Sequence, residues 1–434
     1  MNKNKNSKIE EIFNLAVQHH SNNILNEAQN LYNQVLIINP NHSSALNNLG
    51  VIYINLKEYL KAKECFEKAI EINPNYADAH FNLGGTFYTL GEFQKAKGCY
   101  EKVIEINNVH LKANNNLGII FHKLGEYQKA KECYEKAIEI NPNYENAHYN
   151  LGGTLLYLSE IQKARNSYKK AIEINNYNTK AYWNLHGAAS DIDEALSILK
   201  KLYRIDNKYT EAKIMISALE GYKGNFSMFD ELVTSSNSNH PYTRSIKWVF
   251  SLPKLPKIYF DKFNYFDAVI ALTESSRPFY EFGVYKGASF KYLINTFKKG
   301  FGFDTFSGLP EDWHHEPKGT YSSSGAIPEI KGAEFIVGKF EDTLPDFFLK
   351  ERPVASLINF DADLYSSTLC ALNYSNKIID EKTILIFDEF IMSDKWEEDE
   401  FKALNEFCNN MGYNYDVIAI SFFSKQVAVK LKRN

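Results

Sequence analysis

Asp361 and Asp363 close one apolar run, Ile358-Asn-Phe-Asp361-Ala-Asp363, and Asp388 and Glu389 close another, Ile384-Leu-Ile-Phe-Asp388-Glu389. Short apolar runs of this kind read as buried strands. If the two strands are neighbours in a parallel sheet, four carboxylates converge at one edge. In open α/β sheets that edge, outside the carboxyl ends of the strands, is where ligands bind. Crowded like charges are costly unless a cation or a proton offsets them. The chemistry these residue types allow is therefore cation binding or acid/base catalysis, and hard oxygen ligands suit a cation such as Mg2+. A lone acid after a strand would more simply cap a helix or face solvent.

A second group stands upstream, in Arg277-Pro-Phe-Tyr-Glu281-Phe-Gly283-Val-Tyr285-Lys-Gly287-Ala-Ser289. This reads as a strand, a glycine turn and a helix start, so the backbone can approach a ligand and helix N–H groups point at it. The glycines are four apart and the G-x-G-x-x-G dinucleotide pattern is missing, which disfavours a nicotinamide oxidoreductase. Glu281 precedes the first glycine, where a carboxylate can accept bonds from a cationic amine. Asp304 ends the next apolar run, where a carboxylate usually meets a ribose diol. A cofactor with a cationic amino-acid end and a ribosyl end fits both acids.

The elements that position these acids lie in the second half of the chain. Expected strands are 278–282, 300–304, 334–338, 354–361 and 383–388, with 415–421 and 425–432 as an antiparallel hairpin. Strands alternating with helices imply a parallel sheet. Asp363 shares a side with Asp361 only if its strand extends past 361; otherwise it belongs to the following turn.

The first half is a repeat array. NNLGVIYINLKEYLKAKECFEKAIEINPNY at 47–76 returns as NNLGIIFHKLGEYQKAKECYEKAIEINPNY at 115–144, and copies at 77–110 and 145–178 keep the 34-residue frame. Each copy predicts two amphipathic helices. Gly50, Gly84, Gly118 and Gly152 with Ala62, Ala96, Ala130 and Ala164 permit close approach, Phe66, Tyr100, Tyr134 and Tyr168 fill the seam, and Pro74 and Pro142 stop the second helix. These residues resemble the tetratricopeptide repeat. A looser first copy is expected at about 9–42, a shortened sixth at about 179–209 and a capping helix near 211–233. Asn48, Asn82, Asn116, Asn150 and Asn184 recur before the Leu-Gly (or Leu-His) pair, a line of amides suited to gripping the backbone of an extended peptide. The pattern resembles the array of O-linked N-acetylglucosamine transferases, whose inner face carries such a ladder. Bonds between repeats would account for the same amides.

Residues 234–257, rich in Ser, Asn and Pro, read as a linker with one short helix at 242–250. From 258 to 434 the motif order E-x-G-x-x-x-G, D-T-F-S-G-L-P, G-K-F-E-D-T-L-P, D-A-D-L-Y-S-S-T and F-D-E-F resembles the class I S-adenosylmethionine-dependent methyltransferases, and among them the macrocin O-methyltransferase (TylF) type. The expected architecture is thus multidomain: an all-α tetratricopeptide superhelix over 9–233 and an α/β Rossmann-like methyltransferase domain. The resemblance implies an O-methyltransferase that binds S-adenosylmethionine through Glu281, Gly283, Tyr285, Gly287, Asp304, Phe340 and Glu341. It further implies Mg2+ held by Asp361, Asp388 and Glu389, Asp363 as general base, and a sugar-containing acceptor. Glu389 departs from the commoner Asp. The loop 306–330, with Gly308, Gly319 and Gly325, reads as a lid, and Trp313 and Tyr365 as pocket wall. His314 and His315 read as polar loop residues, Cys370 and Cys408 as core. An adaptor whose methyltransferase-like domain is catalytically silent is the rival reading.

Composition agrees with these expectations. A net charge of −4 with 44% hydrophobic residues over 434 residues gives no support for a nucleic-acid partner. No run approaches the roughly 18 apolar residues of a membrane span. The start shows no apolar leader, and Cys65, Cys99 and Cys133 recur at one repeat position rather than as a disulfide framework, so a cytoplasmic location is expected.

Overall fold

The computed structural model describes residues 2–323 and 325–433, which fall in two compact units, Met1–Asn176 and Tyr177–Asn434. The first unit is all helical. Its pairs are Asn2–Ser21 with Leu25–Ile38, Ser43–Asn55 with Tyr59–Ile72, Ala77–Thr89 with Phe93–Ile106, Leu111–Lys123 with Tyr127–Ile140, and Glu145–Tyr157 with Ile161–Ile174. In the four pairs after the first, the ring of the second helix lies directly on the glycine of the first helix. A Cβ built on Gly50 would sit 2.6 Å from Phe66, on Gly118 2.6 Å from Tyr134 and on Gly152 2.7 Å from Tyr168. The rings are buried, as are Ala62, Ala96, Ala130 and Ala164. The cysteines of this seam are free. Burial pushes the Cys65 and Cys99 thiols up to about 11 and Cys133 up to about 12, which makes them packing residues rather than nucleophiles.

The second unit opens with the helices Thr179–His186, Ile192–Ile205, Thr210–Tyr222 and Ser227–Thr234, so the expected single capping helix near 211–233 is two, parted at Gly224 with φ +88°. Residues 234–257 hold a 3-10 turn, Ser236–Asn239, and the helix Pro241–Ser251. Asp261 caps the helix Lys262–Ile270 through the amides of Phe263 and Asn264.

Eight strands form one mixed sheet: β1 (Lys257–Tyr259), β2 (Phe279–Phe282), β3 (Gly300–Asp304), β4 (Ala333–Val337), β5 (Leu357–Phe360), β6 (Ile384–Phe387), β7 (Tyr413–Ser421) and β8 (Gln426–Arg433). Their order is β1-β7-β8-β6-β5-β2-β3-β4. Strands β2 to β6 are parallel, β8 runs antiparallel to β6 and β7, and β1 is parallel to β7. The apolar runs on β2, β5 and β6 are buried throughout, as two covered faces require. Their core gathers Tyr265, Phe266, Phe279, Phe290, Leu357 and Ile386.

Four adjacent strands carry a phenylalanine at the carboxyl end, the last residue of β2, β5 and β6 and the last but one of β3. Phe303, Phe282, Phe360 and Phe387 are paired in register and stack in a row at centroid spacings of 4.7, 5.4 and 4.8 Å, all fully buried. One residue beyond each lies Asp304, Gly283, Asp361 or Asp388. The row forms an apolar floor immediately beneath the groups expected to do chemistry.

Candidate carboxylate site at the sheet edge

From β2 the chain runs outward through β3 and β4 on one side, while β5 and β6 extend on the other. This divergence makes the carboxyl ends of β2 and β5 a topological switch point, where open sheets leave a crevice. Gly283 follows β2 at φ +90°, and a Cβ there would fall 1.8 Å from the Asp361 carbonyl oxygen, so the turn after β2 and the end of β5 touch through backbone alone. Tyr285 is left-handed at φ +51°, and Gly287, at φ +73°, opens the helix Ala288–Phe297. Asp304 holds this turn. Its carboxylate, expected at a ribose diol, accepts from the amides of Val284 at 2.7 Å, Tyr285 at 2.8 Å and Phe306 at 2.6 Å.

Glu281 lies in β2 itself, 1% exposed, opposite Asn359 of β5. Its Oε2 is buried without a hydrogen-bond partner. Burial pushes its carboxyl up to about 8; Lys262 and Asn359 oppose this, while Asp304 and Asp388 add to it. Phe340 is buried with its ring edge-on to Phe282, whereas Glu341 is exposed and pairs with Lys339 at 3.4 Å.

The four opening acids gather as expected but are not equivalent. β5 ends at Phe360, so Asp363 belongs to the turn, at φ +60°. Burial first, and then the charge of Asp388, hold the Asp361 carboxyl well above its ordinary range. The same two causes push Asp363 up to about 8. Asp388 has a buried Oδ1 without a hydrogen bond, and Lys262 lies 4.0 Å from that oxygen. Glu389, expected as a third metal ligand, has φ +38° and both carboxylate oxygens on the Lys425 ammonium, at 2.7 and 2.9 Å. Burial raises its pKa and Lys425 opposes the rise. Among the described residues no three His, Cys, Asp or Glu side chains are grouped so as to hold a metal ion.

Two further acids reach this site from outside the motifs. Glu400, 1% exposed, opens the helix Glu400–Met411, and neither of its oxygens meets a donor in full hydrogen-bond geometry, although the Ala362 amide lies near enough to favour its charge. Burial, then the charges of Asp388, Asp363 and Asp361, hold it well above the ordinary range. Asp399 beside it accepts from or donates to His314 Nε2 at 2.8 Å, according to protonation. Both acids fall in Trp396-Glu-Glu-Asp-Glu400, a charge run that reads as solvated surface, so no local signal marks them. Lys425 likewise sits in a hairpin turn that only the strand order brings to Glu389.

The loop after β3 crosses this edge. Tyr321 approaches Tyr285 edge-on at 6.3 Å, Ser366 Oγ donates to Glu311 at 2.6 Å, and His314 meets Asp399. Tyr365 donates to Glu406 at 2.5 Å and lies under Lys402.

In the repeats, four of the ladder amides bond within the array. Asn48 donates to Tyr32 at 3.1 Å and Asn116 to Tyr100 at 3.3 Å, while Asn82 donates to Asn47 at 3.0 Å and Asn150 to Asn115 at 3.1 Å. The array therefore alternates: a tyrosine hydroxyl receives every other amide and a neighbouring asparagine the rest. All four remain partly exposed, and Asn184 holds the corresponding place in the second unit.

Residues 43–76, 77–108 and 111–144 match the tetratricopeptide repeat, and a second tetratricopeptide repeat family matches 133–166. The N-terminal region is made of tetratricopeptide repeats. Among solved structures, MamA is 27% identical over 38% of this chain and 96% of its own, with a TM-score of 0.36. PilF of Pseudomonas aeruginosa is 19% identical over 51% of this chain and 100% of its own, at 0.44. The C-terminal part of a TPR repeat-containing protein from Cytophaga hutchinsonii is 19% identical over 54% and 98%, at 0.47. No curated protein matches the chain. Beyond the repeats, no described helix is long and apolar enough to cross a membrane.

Proposed function

We propose that the chain is an S-adenosylmethionine-dependent O-methyltransferase whose tetratricopeptide repeats bind a protein or peptide. The observation that carries this reading is the coincidence of the glycine turn after β2 with a carboxylate cluster after β5 and β6, at a switch point of parallel strands. The ordered motifs from Glu281 to Glu389 and the strand order β4-β3-β2-β5-β6 support it.

The orphaned oxygens give the fit. Glu281 Oε2, buried and unpartnered beside the turn, is placed for the ammonium of a cationic amino-acid group. Asp388 Oδ1, without a hydrogen bond and with the Lys262 ammonium 4.0 Å away, stands one residue past the end of β6 as Asp361 stands one past the end of β5, and the two carboxylates suit a divalent cation. Mg2+ is often held by one or two carboxylates with waters completing its shell, so Asp361 and Asp388 would hold it without a third protein ligand. The cofactor would supply an electrophilic methyl group, and the cation would lower the pKa of an acceptor hydroxyl. Asp363 would take the hydroxyl proton. Its carboxyl, pushed up to about 8, keeps a proton near neutrality until positive charge beside Asp388 brings it down. The glycine turn, whose Val284 and Tyr285 amides Asp304 holds, would give the ligand a surface of fixed shape, and the loop carrying Tyr321 and His314 would exclude water. By resemblance to the TylF type, the acceptor class is a sugar or glycoconjugate hydroxyl.

The rival reading, a repeat adaptor with a catalytically silent sheet unit, draws on the Glu389–Lys425 pair and on the lack of a three-residue metal group among the described residues. Calorimetry on the full chain with S-adenosylmethionine, with Mg2+ and with chelator, separates the two. Cofactor binding that is lost in Glu281→Gln is the expected result. Absence of any cofactor binding sinks the methyltransferase reading and leaves the adaptor.

A further inference from the structure

The loop that joins β6 to the helix Glu400–Met411 carries Glu389 and Asp399 and leads into Glu400, yet has little regular structure of its own. Glu389 and Met392 are both left-handed, at φ +38° and +70°. Strained backbone of this kind persists only where the surroundings over-determine it. The surroundings here are the helix Pro241–Ser251, about 150 residues earlier in the chain. The Met392 amide donates to Ser245 Oγ at 2.9 Å, and Ser245 is fully buried. Arg244 grips Glu397 with two bonds, Nε to Oε1 at 2.7 Å and Nη2 to Oε2 at 3.1 Å, and donates to the Asp394 carbonyl at 2.8 Å. Its other arm donates to the Asn239 carbonyl, just before the helix. Trp248 packs one turn on against Phe390, Trp396 and Phe401, with centroids 5.8, 5.9 and 5.5 Å away.

The partner of Glu389 is anchored on two earlier helices, Thr179–His186 and Thr210–Tyr222. Lys425 sits in the turn between β7 and β8, at φ +60°. In that turn Phe423 lies edge-on to the buried His186 at 5.4 Å and so close over Gly187 that a Cβ there would fall 2.4 Å from the ring. His186 occupies the position that is glycine in the earlier repeats. Phe422 meets Tyr222 at 6.1 Å. Both halves of the Glu389–Lys425 pair thus rest on helices 179–251.

We infer that the helix Pro241–Ser251 is a clamp that sets the acid-bearing loop over the carboxyl edge of the sheet, with Arg244 and Ser245 as positioning residues for Glu389 and Glu400. The inference rests on the proposed cation and cofactor site for its functional consequence. A bidentate guanidinium and a buried hydroxyl fix direction as well as distance, which a purely apolar contact does not. Removing either lets the strained loop relax while leaving the Gly283 turn, on the far side of β5, as it is.

The test compares the full-length wild type with Arg244→Ala, Ser245→Ala and Glu397→Gln, the last a change at the partly exposed rim that keeps the side chain's size. Hydrogen exchange in peptides spanning 389–399 rises in all three, while peptides over 279–290 exchange as in the wild type. S-adenosylmethionine affinity stays unchanged, and Mn2+ affinity, measured with the cofactor saturating, weakens about tenfold or more. Unchanged exchange in the loop overturns the clamp. A loosened loop with wild-type Mn2+ affinity overturns the positioning role while the functional reading stands. A wild type that binds neither cofactor nor Mn2+ refutes the functional reading instead, and the exchange comparison alone then decides the clamp.

Discussion

Glu281 concentrates the chemistry of the sheet unit in one side chain. It is buried in the middle of β2, its carboxyl is pushed up to about 8, and one oxygen lacks a partner. A carboxyl whose pKa is higher folded than unfolded binds its proton more tightly in the native state. Stability is therefore greatest when both states are protonated, falls as pH rises from the ordinary carboxylate range, and levels off above about 8. Urea unfolding at a series of pH values with chelator present should show that slope. Glu281→Gln should make it shallower and gain about 1–3 kcal/mol at the alkaline end, while abolishing cofactor binding. A slope left unchanged by the substitution would assign it to Asp361, Asp363 and Glu400, whose carboxyls burial raises in the same direction. The glycine turn beside Glu281 was legible in the sequence because glycines and strand-ending acids are local signals. Glu400 and Lys425 were not, because a charged run and a hairpin turn acquire meaning only when the strand order folds them inward.

At the scale of elements, the two halves rely on rings in different ways. In the repeats a ring fills the space that a glycine leaves, so Tyr134→Ala opens a cavity against Gly118. We expect a loss of about 3–5 kcal/mol and melting of the array. Scanning calorimetry reads this as a drop in the helical transition, with the effect falling off along the array because each repeat contacts only its neighbours. In the sheet, Phe360 lies in the middle of the stacked row, and Phe360→Ala should cost a similar amount and disorder Asp361 above it. Repeats were readable because a 34-residue period restates its pattern several times. The parallel strands β2, β5 and β6 were readable from their apolar runs and abrupt ends. β1 was not, since three residues in a proline-rich stretch carry no period, and only pairing with β7 makes them a strand.

The whole molecule divides where the repeat pattern does not. Helices from Thr179 to Ser251 continue the helical half in sequence yet belong to the compact unit of the sheet. A fragment of residues 177–434 should therefore fold and show cooperative unfolding. One of 258–434, cut where the strand pattern begins, should expose the loop after β6 and aggregate. Circular dichroism and size-exclusion chromatography of the two fragments check this, and a well-folded 258–434 fragment would count against any dependence of the sheet on those helices.

The three amides gathered by Asp304 have one more outcome, and it is kinetic. The turn after β2 already has the shape a ligand would meet, fixed by a carboxylate of its own chain. Ordering entropy that would otherwise be lost on encounter has been lost during folding. Association at this turn should then be a single fast phase whose rate rises linearly with ligand concentration, without a slower rearrangement behind it.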